Sequence, residues 1–221
     1  MAHTAHTDGE FLVLDAGCGM DMSVELPPNA HVLGIDVSEA ALARNSAIDE
    51  RIVGDIETYA FGPRRFDLII CHDVLEHLDD PTAAVRNLAG ALKHGGELDV
   101  RMPILWSAKG IVTKLTPHRF HVWSYRRLFG IPTAGQEGFA PFPTRLRITP
   151  KRLERQAASA GLDRVSVETW RVRPSLPGPL RAVWTVVGWA EKVLPARGAT
   201  EYRARFRKRA ARRNSEALTV Q

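Results

Sequence analysis

The stretch that most constrains this chain runs from Phe11 to Asp36: an apolar strand, a glycine turn and a second apolar strand that ends on an acid. Phe11-Leu12-Val13-Leu14-Asp15 leads at once into Ala16-Gly17-Cys18-Gly19, and His31-Val32-Leu33-Gly34-Ile35 closes on Asp36. A strand brings the chain to the edge of a sheet, and glycines there let the backbone approach a ligand because no Cβ stands in the way. An acid one strand later can accept hydrogen bonds from two ribose hydroxyls. The order therefore suits a ligand that carries a nucleoside. Taken alone, Gly17 and Gly19 would be equally at home in a plain tight turn after a buried strand. A dinucleotide is disfavoured. The G-x-G-x-x-G fingerprint has Met22 in place of its third glycine, and Asp21 sits where a pyrophosphate would approach.

The same alternation continues to about Val172. Further strands are predicted at Arg51-Ile52-Val53-Gly54, ending at Asp55, at Phe66 to Cys71, at Glu97 to Met102 and at Arg164 to Val172. Helices open at Ser38, at Asp80-Pro81 and at Thr149-Pro150, each on a capping residue, two with proline at the first position. Gly95-Gly96 is read as the stop of the second helix. Strand and helix in turn imply an α/β fold: a doubly wound, mostly parallel sheet with helices on both faces. The first connection departs from that pattern. Pro27-Pro28 pushes the residues before it out of the α region, so a full helix between Gly19 and Pro27 is not expected, and the pocket should be open on that side.

Residues 103–149 are long, irregular and rich in Pro, Gly and aromatics, as a lid or acceptor-binding insertion would be. From Pro174 the character changes again. Leu180, Val183, Trp184, Val187 and Leu194 fall near helical spacing, and a basic cluster from Arg197 to Arg213 follows with Glu201 as its acid. The expected division is a domain over 1–173, with the lid at 103–149, and a helical, basic extension over 174–221.

Composition narrows the class. The 221 residues, 44% hydrophobic and 25% charged, suit a soluble globular protein with one well-buried core. The two cysteines, Cys18 and Cys71, give neither a disulfide framework nor a zinc site. Met1 to Glu10 holds no apolar signal-peptide stretch, and no apolar run is long enough to span a bilayer. A cytoplasmic location is expected. The net charge of +5, gathered toward the C-terminus, suggests contact with something anionic; a solvated basic face is the plainer alternative.

After the fourth predicted strand comes Cys71-His72-Asp73-Val74-Leu75-Glu76-His77-Leu78, then Asp80-Pro81, an apolar helix and Leu92-Lys93-His94-Gly95-Gly96. With the glycine turn and its acid, this set resembles the class I S-adenosylmethionine-dependent methyltransferases, in particular their small-molecule branch and the ubiquinone-type O-methyltransferases, over about residues 11 to 172. The resemblance implies a Rossmann-like fold and S-adenosylmethionine as cofactor. It assigns cofactor contacts to Asp15, Gly17, Cys18, Gly19, Asp36, Val37, Asp55, Ile56 and His72. Among these, Asp36 would hold the ribose hydroxyls and Asp55 the adenine amino group, with Ile56 packing on the ring. The Asn/Asp-Pro-Pro-Tyr/Phe turn of amino-base methyltransferases is missing, and Cys71 lacks the setting of a nucleophilic thiolate.

His77 is the candidate general base for an acceptor hydroxyl, since its ordinary pKa suits that task. His118 and His121, three apart in Thr116-Pro117-His118-Arg119-Phe120-His121-Val122-Trp123, are the alternatives in the lid. In some ubiquinone-type relatives an acid, a Glu and the His of the loop after the fourth strand bind a divalent metal. The matching positions are Asp73, Glu76 and His77; no metal is expected here, and that set is the exception to test. The reading is methyl transfer to a small-molecule or lipid-like acceptor, at oxygen. A nitrogen or carbon target, a catalytically silent module and an NAD oxidoreductase are its rivals. Partners left open are an anionic membrane at the inner face, reached through 180–213, and a second copy in a homodimer. Sequence-specific nucleic-acid binding is not expected.

Overall fold

The apolar runs assemble into one seven-stranded sheet in the order β3-β2-β1-β4-β5-β7-β6. The strands are β1 (Phe11–Ala16), β2 (Ala30–Asp36), β3 (Glu50–Val53), β4 (Phe66–His72), β5 (Leu92–Pro103), β6 (Leu162–Trp170) and β7 (Glu201–Lys208). A computed structural model of the chain describes residues 9–22, 24–62, 65–104, 117–127, 130, 132–136, 142–145, 147–172 and 199–210. β1 pairs in parallel with β2 and with β4, β2 with β3, and β4 with β5. β7 runs antiparallel between β5 and β6. The doubly wound, mostly parallel sheet is therefore what forms. The chain reverses direction across the sheet between β1 and β4, and ligands of such sheets sit at that crevice, beyond the carboxyl ends of the strands.

Local signals set the helices. Ser38 caps α1 (Glu39–Leu42) through Oγ, which accepts from the Ala41 N–H. Asp80 caps α2 (Pro81–Ala91) by accepting from Thr82 and Ala83, with Pro81 where a missing N–H costs nothing. Thr149 does the same for α4 (Pro150–Ser159). Between them lies α3 (His118–Arg127). α2 and α4 pack together on one face of the sheet. There Val85, Leu88 and Leu153 meet Leu14, Ile69, Leu98 and Phe206 in the larger core. The opposite face holds a smaller core of Val13, Val32, Ile70, Cys18, Leu42 and Ile48. Met22, Val24 and Leu26 cover it, and no described residue between Gly19 and Pro27 is helical.

Two expectations are corrected. α2 stops at Ala91, and Gly95-Gly96 lies inside β5, because Leu92 is drawn into pairing opposite Phe66. Glu201–Lys208 is a strand and not part of a helical extension. Tyr202, Ala204 and Phe206 are buried, whereas Arg203, Arg205 and Arg207 point to the other face, the period of a strand. A boundary at residue 173 would thus cut β7 from the sheet it completes. The apolar stripe from Leu180 to Leu194, Arg197, Arg212 and Arg213 lie outside the described residues.

Candidate functional site

The glycine turn wraps around the end of β2. Gly17 and Cys18 both donate to the Ile35 carbonyl, at 2.7 and 3.2 Å. Gly17 has φ +75° and Gly19 φ +53°, the left-handed region where a Cβ is disfavoured. A Cβ on Gly17 would meet Val74 Cγ2 at 2.5 Å, so the turn packs directly on the loop after β4. A Cβ on Gly19 would meet nothing within 4 Å, so open space for a ligand lies beside its Cα. Asn45, fully buried, ties the turn from below, its Nδ2 donating to the carbonyls of Cys18 and Gly19 at 3.3 Å each.

Asp36 closes the ring. Oδ2 accepts from the Gly19 N–H at 3.0 Å and Oδ1 from the Ser38 N–H at 2.8 Å. A carboxylate offers about four lone-pair sites, so two remain for hydroxyl donors. Val37 beside it is 71% exposed, an apolar surface at the same edge. Asp15 is buried, and burial, reinforced by the Asp36 carboxylate, pushes its pKa up to about 7. The two acids thus make a site that a cation would relieve. Asp55 is exposed and accepts from the Glu57 N–H at 2.8 Å. Ile56 is buried in the larger core, so its side chain shows little surface to a ring. Asn87 of α2 holds this loop, with Nδ2 donating to the carbonyls of Ile56 and Tyr59 at 3.0 and 2.6 Å. Burial, with Asp15 and Asp36 beside it, pushes the Cys18 thiol up to about 12, and burial likewise raises Cys71. Both stay protonated, and neither is poised as a nucleophile.

The loop after β4 carries the candidate base. His72 turns to the sheet, its Nε2 3.3 Å from Asp99 Oδ1. Asp73 has φ +55°, a conformation unusual for a residue with a Cβ, and Arg101 holds its Oδ2 through Nε at 2.9 Å and Nη2 at 2.5 Å. Glu76 is 2% exposed, and its Oε2 has no hydrogen-bond partner. Burial pushes its pKa up to about 8, with the Asp73 and Glu201 carboxylates adding to that effect. His77 sits on a 3₁₀ turn, Leu75–His77. Its Nδ1 is 2.8 Å from the Pro143 carbonyl, and its ring meets Phe142 edge to face at 5.8 Å. Burial lowers its pKa against the opposing pull of the Pro143 carbonyl and Asp73, so the imidazole is neutral at pH 7. A carbonyl only accepts, so Nδ1 carries the proton and Nε2 the lone pair. Nε2 lies 3.8 Å from Glu76 Oε1, too far for a hydrogen bond.

Among the described residues no group of three or more His, Cys, Asp and Glu is arranged to hold a metal. Asp73 is taken up by Arg101, and His77 Nδ1 by Pro143. Within residues 103–149, α3 places His121 beside Phe120, 6.3 Å between ring centroids, and Phe120 stacks on Trp123 at 5.6 Å. The His118 side chain lies outside the described residues. The structure thus brings the glycine turn together with Asp15, Asp36 and the His77 loop; Asp55 stands at the end of the next strand, β3. His72 is directed to the sheet instead.

Among the described residues of the basic cluster, Arg203, Arg205, Arg207 and Arg209 pair with acids of the sheet. Arg203 grips Asp99 through Nε at 2.8 Å and Nη2 at 2.5 Å, and Arg205 reaches the same carboxylate at 3.2 Å. Arg207 pairs with Glu97 and Arg209 with Asp163. Burial would raise Asp99, but the hydrogen bonds from Arg203 and His72 outweigh it and hold it well below the usual carboxylate range. Sequence reasoning missed Asn45, Asn87, Arg101 and Arg145. Each is a polar residue with no motif around it, and only the fold shows which backbone or acid it serves.

A family model described as a methyltransferase domain matches residues 14–99. A ubiquinone biosynthesis O-methyltransferase of Coxiella burnetii is 30% identical over 159 residues, 68% of this chain and 62% of that protein. A second, from Idiomarina loihiensis, is 40% identical over 106 residues, 42% of this chain and 43% of the relative. The chain thus spans less than two thirds of the length of these relatives. Among solved structures, the YcgJ protein from Bacillus subtilis aligns with a TM-score of 0.55 at 16% identity, covering 94% of this chain and 96% of the other. The [4+2]-cyclase SpnF gives the same TM-score at 20% identity, covering 92% and 77%. At such identities the structures attest the fold alone, and that fold also serves a cyclase. The sequence matches carry the likeness further: the methyltransferase-domain match and the O-methyltransferase relatives, together with the fold, support a class I S-adenosylmethionine-dependent methyltransferase.

Proposed function

We propose that the chain transfers a methyl group from S-adenosylmethionine to an oxygen of a small or lipid-like acceptor, with His77 as the general base. The observation that carries the reading is the contact between the two halves of the site. Gly17 of the cofactor turn packs against Val74, three residues before a neutral histidine whose Nε2 lone pair is available. The residues present fit the cofactor. Gly19 has open space beside its Cα, Asp36 keeps acceptor capacity for ribose hydroxyls, Asp55 stands just past the end of β3 for an adenine amino group, and the paired acids Asp15 and Asp36 suit a cationic ligand. When bound, S-adenosylmethionine supplies an electrophilic methyl on a sulfonium.

The chain's own contribution is position and proton transfer. An acceptor oxygen has to be held about 3 Å from the carbon it attacks and in line with the leaving group. His77 Nε2 takes the acceptor's hydroxyl proton, and the Pro143 carbonyl on Nδ1–H stabilises the imidazolium that results. The names of the relatives, O-methyltransferases, support oxygen as the target. Arg203, Arg205, Arg207 and Arg209 are matched by acids, so they add little to any attraction for an anionic membrane. The test is formation of S-adenosylhomocysteine with phenolic and lipid-like acceptors. His77→Ala is expected to bind S-adenosylmethionine as the native chain does and to lose about 10²-fold or more in turnover. Full turnover in that variant, with loss in His118→Ala or His121→Ala, would move the base to the lid.

A further inference from the structure

We propose that Asp79 is a positioning residue: through Arg145 and Arg147 it holds the Pro143 carbonyl on His77 and so keeps the lone pair of the imidazole on Nε2. The proposal rests on the reading of His77 as base. Asp79 lies two residues past His77, just before the Asp80 cap of α2. Its backbone is fixed from the cofactor side, where Glu57 Oε1 accepts from the N–H groups of Asp79 and Asp80 at 2.7 and 3.1 Å. Glu57 follows the Asp55-Ile56 pair directly.

From the other side Asp79 holds the segment that carries Pro143. Arg145 Nη1 donates to Asp79 Oδ1, and Arg147 Nη1 lies 3.2 Å from the same oxygen. Arg147 Nη1 also donates to the Asp79 carbonyl at 2.5 Å, and the Arg145 N–H to the Glu76 carbonyl at 2.7 Å. A single exposed ion pair is worth little. Here two guanidinium groups share one carboxylate, and backbone bonds on either side fix the same few residues. Pro143 is two residues from Arg145. Its carbonyl therefore reaches Nδ1 only while the segment is held down.

The consequence is chemical. A neutral imidazole carries its proton on one nitrogen, and the partner of the other sets which. With Pro143 on Nδ1, Nε2 is an acceptor and can take a hydroxyl proton. With Pro143 withdrawn, the tautomer protonated at Nε2 becomes accessible, and that form cannot act as the base.

The experiment is a long-range ¹H–¹⁵N correlation of the histidine ring at pH 8 in the full chain, native, Asp79→Ala, Asp79→Glu and Arg145→Ala/Arg147→Ala. The native His77 should show the Nδ1–H form. Asp79→Ala and the double variant should lower the ratio of Nδ1–H to Nε2–H by about five- to ten-fold, the bias one ordinary hydrogen bond provides. Asp79→Glu should restore most of it, and turnover should follow the Nδ1–H fraction while S-adenosylmethionine affinity stays the same. An Nδ1–H signal unchanged in both Asp79→Ala and the double variant, or a native His77 protonated at Nε2, would overturn the proposal. The measurement does not depend on turnover. A tautomer shift alongside a fully active His77→Ala would refute the base reading and leave the positioning of the ring by Asp79 intact.

Discussion

Asp36→Asn removes a charge from the site and nearly preserves its shape. In the native chain the two carboxylate oxygens serve two backbone donors, Gly19 at 3.0 Å and Ser38 at 2.8 Å. A carboxamide has one oxygen, so one of those N–H groups must face an NH₂ and lose its partner. The cost to folding is about 1.5–3 kcal/mol, the value of one hydrogen bond to a charged group. The cost to the cofactor is larger. Two charge-assisted bonds to ribose hydroxyls are weakened or lost, about 2–4 kcal/mol together, or about 30- to 1,000-fold in Kd. A third effect follows at Asp15. Its pKa of about 7 owes part of its elevation to the Asp36 carboxylate, so in the variant it titrates lower. Calorimetric titration with S-adenosylmethionine, beside urea unfolding, separates the first two, and the pH dependence of the unfolding reports the third. A Kd within threefold of native together with the folding loss would show that Asp36 only braces the glycine turn, and the ribose assignment would fall.

Other expectations follow from the same geometry. Gly17→Ala combines a left-handed φ with a contact 2.5 Å from Val74, for a loss of roughly 2–5 kcal/mol in urea unfolding. Gly19→Ala has open space around it and should cost about 1 kcal/mol of stability, yet impair cofactor binding more than Gly17→Ala does relative to its folding loss. Glu76 titrates at about 8 when folded against an ordinary 4.5, so the folded state keeps a proton that the unfolded chain has lost. Stability therefore falls as pH rises between those values and levels off above them. Glu76→Gln escapes that fall and should gain roughly 2–4 kcal/mol on the native chain between pH 5 and pH 8.5. A difference that does not change with pH would disprove the buried proton.

What the sequence by itself determined was the β1–β4 part of the sheet and the glycine turn at its edge. Short apolar runs closed by Asp15, Asp36 and Asp55, and caps at Ser38, Asp80 and Thr149, are signals written within a few neighbouring residues, and they form as read. The glycine turn was legible for the same reason: its left-handed angles are a property of residues 17 and 19 themselves. What only the tertiary structure decided depends on distant neighbours. The alternation in Glu201–Lys208 is a strand period, but its arginines outweigh it until Asp99, Glu97 and Asp163 are brought opposite to neutralise them. The turn of His72 toward Asp99 follows from the same sheet face. The protonation of Asp15 and Glu76 is set by burial, which no single segment contains. The tautomer of His77 rests on a carbonyl 66 residues away, and a bond of that kind exists only once the chain has folded.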